Sequence, residues 1–575
     1  MRLISLTANQ KSFHPVEFNP TGLSLIVGSQ KNPTENTSGL TYNGVGKSLL
    51  IGLIHFCLGS NRIDDFADKL PDWEFILRFE HGGEKYRVSR KTDKQNVLSV
   101  NGEEFGVRKF GAMMTDLLFP EAGDTPYLKF RGLLSHFVRP RKESYNSFDK
   151  VSRDATPYAN LIQNGFLLGL NIDLIHKKHK LRTDQDEVRK LRSNLENDDI
   201  FREFFTEGKN PEIELADLES KCKVLNTKLS DFQVAEDYHE RQREANDATR
   251  TLQALRNELV IVRNAIREIQ HSLQVSPDVP PSQVFQVFEE AGAALPEQVV
   301  KRIEDVAEFH RSLLEKRVKR LTSERTTLER RTDRLDREIA ESNQRADDLR
   351  RFLGSHGALD EFVAMSSRLS ELEAKAQKLR DYQELLDKYS DRSQELTAVM
   401  SRETIRANRY LRDAKPVLDS NMDRFRSLSR QFYGNRPGGL TVKNNEGENQ
   451  IRFDIDARIE DDAADGINEV KVFCYDWTIL TQKHNHFVEY LIHDSRLFSD
   501  VDFRQRSTIF KIVNEESTNQ GVQYIATLNQ DQIDSMREQF SPDEFSDCFE
   551  ETVVLRLTDE SPEAKLLGIE VDMQY

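Results

Sequence analysis

The stretch Asn43-Gly44-Val45-Gly46-Lys47-Ser48, "NGVGKS", decides how this chain is read. It stands between "LSLIVGS" (residues 23–29), which reads as an apolar strand, and "GKSLLIGLIHFCLG" (residues 46–59), which reads as an apolar helix. In that setting glycines let backbone N–H groups close on an anion, Lys47 reaches the β and γ oxygens of a nucleotide, and the Ser48 hydroxyl ligates Mg2+ at the helix N-terminus. The expected ATP-binding residues are therefore Asn43, Gly44, Val45, Gly46, Lys47 and Ser48. The strict pattern has a glycine five positions before Gly46, where this chain has Thr41; Gly28 takes that place if residues 29–42 are an insertion. A Gly-rich turn at a helix start is the plainer alternative. The order strand, loop, helix favours the nucleotide.

A phosphate site of this kind needs a carboxylate for its metal. "VEYLIHD" supplies an apolar strand ending in Asp494, placed to hold Mg2+ together with Ser48. The next residue, where a glutamate would orient the attacking water, is Ser495. Asp502, eight residues beyond Asp494, is the alternative base, while Glu489 is a poorer candidate because it lies within the strand.

The surrounding chain sets the scale. Of its 575 residues 31% are charged and 37% hydrophobic, too polar for one large core. A net charge of −16 excludes a uniformly basic nucleic-acid coat and leaves local patches. The longest apolar runs fall well short of the roughly 20 residues that cross a bilayer, and the N-terminus lacks a signal-peptide pattern. A cytoplasmic protein with no membrane contact is expected. Cys57, Cys222, Cys474 and Cys548 are scattered singly, as small buried or interfacial residues rather than metal ligands or disulfides.

From about Asp173 to Glu395 glycines and aromatics thin out and apolar residues recur at alternating three- and four-residue steps. One seam runs Leu215, Leu218, Cys222, Leu225, Leu229, Phe232, and a second Leu252, Leu255, Leu259, Val262, Ile266, Ile269, Leu273. A third runs Leu314, Val318, Leu321, Arg325, Leu328, Thr332, Leu335, Ile339. Seams this narrow are covered by another helix. Pro277, Pro280, Pro281 and Pro296 would turn the chain back between them, with Val284, Phe285, Val287 and Phe288 at the tip. Each arm, if unbroken, reaches about 150 Å at 1.5 Å per residue, but "DDIFREFFTEGKNP" (198–211) interrupts the first arm, so a shorter or bent rod is expected. The expected division is residues 1–172, first half of an α/β head; 173–275, ascending arm; 276–298, tip; 299–395, descending arm; and 396–575, second half of the head.

With these motifs in hand the chain resembles the SMC/RecN superfamily of ABC-type ATPases, and within it the small RecN-like proteins of bacterial three-component anti-phage systems. The residues that carry the resemblance are "NQKSF" (9–13), Asn43 to Ser48, "DGINEVKVFCYD" (465–476) where a signature helix belongs, "YLIHDS" (490–495) and "TLNQD" (527–531). The resemblance implies an ABC-type ATPase head split by a long antiparallel coiled coil, with ATP and Mg2+ as cofactors. It implies a head-to-head homodimer in which Asp465, Gly466, Ile467 and Asn468 face the γ-phosphate held by the opposite head, and Asn529 stands at the switch-histidine position. DNA and one or more effector subunits are the implied partners. Clustered cations offer the DNA contacts: Arg139, Arg141 and Lys142 on the head, and Lys177, Lys178, Lys180 and Arg182 where the rod leaves it. A solvated helix face is the plainer reading of those cations. Two functions are expected: an ATP-gated DNA clamp or sensor in repair or anti-phage defence, or a scaffold that binds ATP and barely hydrolyses it.

Overall fold

The computed structural model describes residues 1–30, 44–139, 142–152, 155–197, 211–230, 236–274, 297–353, 358–460 and 465–571. The chain divides into two compact units, one of Met1–Arg182, Pro281–Ala307 and Met400–Tyr575, the other of Thr183–Pro280 and Glu308–Val399. The proposed tip, with Val284, Phe285, Val287 and Phe288, lies outside the described residues.

The first unit is an α/β head that both ends of the chain build. Its six-stranded antiparallel sheet has the order β2-β1-β4-β5-β6-β7, from β1 (Arg2–Ala8), β2 (Val16–Glu17), β4 (Glu74–His81), β5 (Glu84–Lys91), β6 (Val97–Val100) and β7 (Glu103–Gly106). Strand β4 shows the reason for one covered face: Phe75, Leu77 and Phe79 are buried while Arg78 between them is exposed.

The second sheet is parallel, in the order β10-β11-β3-β12. It joins β3 (Gly22–Ser29) of the N-terminal segment to β10 (Tyr490–His493), β11 (Gln523–Asn529) and β12 (Val553–Thr558) of the C-terminal segment. Strand β3 is central, and Leu23, Leu25, Ile26 and Val27 are buried on both of its faces, as a near-continuous apolar run requires. Gln523 ties the two sheets together: its amide accepts from Leu3 N and donates to Leu3 O, both at 2.7 Å, and donates to Asn19 O at 2.7 Å.

Helix α1 (Lys47–Cys57) follows β3 in the chain. The buried Arg90 of β5 closes its far end, donating to Phe56 O at 2.7 Å and Ser60 O at 3.0 Å with its guanidinium over the Phe56 ring. A cation among the last carbonyls of a helix satisfies them and complements the helix dipole.

The other helices that matter here are α2 (Ile172–Glu196), α3 (Pro211–Ser230), α4 (Glu236–Gln274), α5 (Glu297–Leu353), α6 (Ala358–Asp413), α7 (Lys415–Tyr433), α8 (Asp465–Gln482), α9 (Phe503–Gln520) and α10 (Gln530–Asp534). A hairpin of β8 (Gly438–Asn444) and β9 (Phe453–Ile459) packs beside α7. None of the described helices is long and apolar enough to cross a membrane.

In the second unit the heptad seams meet helix partners. Leu259 and Val262 of α4 pack with Leu335 of α5, flanked by Leu255, Ile266, Leu328 and Ile339. Leu218 of α3 packs with Leu372, Ala376 and Leu379 of α6. Val318, counted into the third seam, is 46% exposed and stands outside it.

Directions follow from the cross-contacts. Ala248 O accepts from Ser342, Glu258 pairs with Arg331, and Arg317 donates to Ser272, so α4 and α5 are antiparallel. Along α6, Thr397 faces Gln185 and Arg380 faces Glu219, again antiparallel. Ser366, however, faces Asn246, and Ser370 faces Gln253, so α4 runs parallel to α6. The chain therefore reverses between α3 and α4 and again between α5 and α6. The α4/α5 pair is thus doubled back along α6, which bends the expected hairpin. Polar hydrogen bonds, Ser366 to Asn246 and Gln253 to the Ser370 carbonyl, mark that contact, whereas leucines make the seams within each pair.

Two outcomes follow. Asn246→Cys with Ser366→Cys should give a chain that a short bismaleimide crosslinks within one molecule, seen as a mobility shift in denaturing gels; an extended single hairpin gives none. Leu335→Ala, which empties a fully buried seam position, should destabilise this unit by about 2–5 kcal/mol in denaturant titration.

Candidate functional site

The C-terminal edge of a parallel sheet is where ligands meet an α/β fold, because strand ends and helix N-termini face outward there together. In this head that edge collects Gly28 from β3, Asp494 after β10 and Asn529 from β11; Gly28 and Asn529 are direct register partners.

Two glycines shape the loop. Gly46 caps α1 with φ 107°, a left-handed conformation, and a Cβ there would lie 2.5 Å from the Leu566 side chain. Leu566 N also donates to Val45 O at 3.0 Å, so a segment beyond β12 braces the loop from behind. From its place at the start of α1, Lys47 runs back across β3: a Cβ on Gly28 would sit 2.5 Å from Lys47 Nζ. Gly28 thus leaves the room that the lysine occupies. Asn43 lies outside the described residues, as does most of the preceding insertion.

Lys47 is buried, and burial lowers its pKa to about 8, a fall opposed by the nearby carboxylates of Asp494 and then Asp531. Asp494 is held from several sides. Its Oδ1 accepts from Ser495 Oγ at 2.9 Å and Thr527 Oγ at 3.3 Å, and its N–H donates to Tyr145 OH at 2.9 Å. Ser495 N in turn donates to Thr527 Oγ at 2.8 Å. Ser495 therefore supports Asp494 with its hydroxyl.

Beneath Asp494 lies a fully buried polar network. Arg139 grips Asp476 of α8 with a two-point fork, Nε to Oδ2 at 2.6 Å and Nη2 to Oδ1 at 2.7 Å. Its remaining protons go to the carbonyls of Ser144, Ser147 and Phe148. Asp476 Oδ2 also meets His493 Nε2 at 3.0 Å, and His493 Nδ1 meets Tyr524 OH at 2.8 Å. The guanidinium of Arg139 holds the Asp476 carboxyl below its usual range against the opposing effect of burial. Asn468, near the start of α8, donates to Tyr145 O at 3.0 Å. The loop carrying Tyr145 is thus tied to both α8 and the strand that carries Asp494.

Several expected site residues need correction. Arg139, offered as a DNA contact, is buried in an ion pair with Asp476. Lys178, offered likewise, is buried and donates to Asn445 O at 2.6 Å. Burial lowers its pKa to about 8. Both cations are structural for the same reason: each lies against carbonyl or carboxylate oxygens inside the head. Lys177 pairs with Glu403 at 3.7 Å, Arg182 donates to Gly447 O at 3.3 Å, and Lys180 is exposed. Arg141 and the Lys142 and Asp465 side chains lie outside the described residues. Asp502, offered as a relocated base, is the N-cap of α9 and accepts from Arg504 N at 2.9 Å. Tyr145, Thr527, Asp476 and His493 were not singled out as site residues by sequence reasoning; no local motif marks them, since their roles come from partners up to 349 positions away.

The geometry fits a magnesium nucleotide. A cation from a helix N-terminus lies over Gly28, and a fixed carboxylate stands on the same sheet edge.

Residues 428–571 match a family described as uncharacterised proteins conserved in bacteria, DUF2326. No curated protein matches the sequence. Among solved structures, the chain is similar to a Smc head domain with a coiled coil and joint from Pyrococcus yayanosii, at 13% identity and TM-score 0.35, covering 93% of each chain. It is also similar to a Smc head domain with an extended coiled coil, bound to the C-terminal domain of ScpA, from Pyrococcus furiosus. That match has 11% identity and TM-score 0.32, covering 93% of this chain and 91% of that one.

Removing one partner of the Arg139–Asp476 pair strands the other charge in the core. Arg139→Met and Asp476→Asn should each destabilise the head by about 3–5 kcal/mol in urea titration. The double variant should cost clearly less than the sum, and strict additivity would deny the coupling.

Proposed function

We propose that this chain is an SMC-like ATPase whose head binds ATP with Mg2+ and pairs with the head of a second copy while nucleotide is bound. The observation that carries this reading is the convergence of Lys47 and Asp494 on one edge of the parallel sheet, Lys47 lying across Gly28. Lys47 would meet the β and γ oxygens, and Ser48 and Asp494 would hold the metal, which neutralises charge developing on the phosphates. Gly466 and Asn468 at the start of α8 would present to the partner head, with Asn529 beside the γ-phosphate.

In this reading the paired heads act as an ATP-gated DNA clamp or sensor in DNA repair or anti-phage defence, with an accessory subunit supplying the effector chemistry. The sequence motifs support that role, and Lys177, Lys180 and Arg182 are members of the basic clusters whose side chains are not buried. A scaffold that holds ATP with little hydrolysis is the second reading. Its support is Ser495, whose hydroxyl is spent on Asp494 where a water-orienting carboxylate would stand. The two readings part at the hydrolysis step.

Lys47→Ala should weaken Mg-ATP binding at least about tenfold by calorimetry, the loss of one charge-assisted contact of roughly 1.5–3 kcal/mol. The variant should unfold at the wild-type denaturant midpoint or above it, because the cation it removes is desolvated in the free head. Unchanged affinity in the folded variant rejects the nucleotide site.

A further inference from the structure

We infer that Asp531 is the carboxylate that positions the attacking water in this head. The inference rests on the nucleotide reading above and adds a residue that neither the loop motif nor the strand ending in Asp494 contains. The obvious places for such a group are taken. Position 495 is a serine bonded to Asp494, and Asp502 is turned into the N-terminus of α9.

The parallel register supplies another place. Asn529, the last residue of β11, is paired with Gly28, the residue over which Lys47 lies. Asp531 is two residues further on, in the first turn of α10. It thus leaves the sheet on the strand between the one that carries the phosphate loop and the one that carries Asp494.

Its neighbours face other ways. Gln532 Oε1 accepts from Asn529 N at 2.9 Å. Gln530 donates to Asp534 at 2.9 Å and accepts from Arg556 of β12 at 2.9 Å. No hydrogen bond from a described residue engages the Asp531 carboxylate. It lies within electrostatic reach of two cations, Lys47 on α1 and Arg506 on α9. Among the described residues, the buried Nε of Arg506 has no hydrogen-bond partner.

The step balances without a further reactant. The water oxygen forms a bond to the γ-phosphorus as the bond to the bridging oxygen breaks, and that oxygen leaves on ADP with the bonding pair. The water proton passes to Asp531 and then to solvent or the released phosphate. Loss of a positioned base of this kind lowers a rate by about 10²–10⁴-fold.

The test uses the full chain with γ-labelled ATP and Mg2+, under single-turnover conditions, beside calorimetric binding. Asp531→Asn should bind ATP within about threefold of wild type and hydrolyse it at least about 100-fold more slowly, while Asp531→Glu should keep a rate within about tenfold. An Asn variant that turns over at the wild-type rate overturns the assignment. So does a Glu variant as slow as the Asn variant, which would make the position structural, and so does a wild-type chain that binds ATP and never cleaves it. Failure of the nucleotide reading shows separately, as absent binding in the wild type.

Discussion

Arg139 and Asp476 meet inside the head where water does not reach, and the site depends on that pair. Each charge alone would cost several kcal/mol to bury. The cost is offset because the planar guanidinium matches the carboxylate at two points and gives its other protons to backbone carbonyls of the loop 144–148. One ion pair therefore fixes a loop of the N-terminal segment against α8 of the C-terminal segment. Through His493 it reaches the strand that ends in Asp494, and through Tyr145 the backbone of Asp494 itself. The network is satisfied at each of these links, which is the condition under which a buried polar cluster specifies one arrangement.

The parallel sheet supplies the second constraint. Its central strand comes from one end of the chain and its neighbours from the other, so neither terminal segment buries its apolar residues alone. Joining them places the glycine loop before α1, Asp494 and the end of β11 on one edge. The helix that follows the loop is stabilised at its far end by Arg90 and shaped at its near end by Gly46.

The helical unit follows a different rule. Leucine seams hold each antiparallel pair, and the doubled-back contact between α4 and α6 uses Asn246, Gln253, Ser366 and Ser370. Apolar seams carry most of the burial energy. A polar contact adds direction at smaller net stabilisation. The heptads announced the seams because a repeat of about 3.5 residues is written in consecutive residues. They did not announce the reversal, because a helix that turns back keeps the same period.

By itself the sequence determined the elements whose cause is local. The strand "LSLIVGS", the helix after Gly46 and the leucine seams all follow from periodicity and apolar runs. The metal carboxylate candidate was legible as well, since a buried strand ending in Asp is a contiguous pattern. The tertiary structure alone decided which charges face solvent and which carboxylates approach Lys47. Arg139 and Lys178 look like surface cations among their neighbours in the chain, yet the Asp476 carboxylate and the Asn445 carbonyl that hold them lie more than 250 positions away. Asp531 looks like an ordinary first-turn acid until β11 is laid beside β3. Burial and charge pairing are set by segments that are distant along the chain and adjacent in the fold, and no local pattern encodes that adjacency.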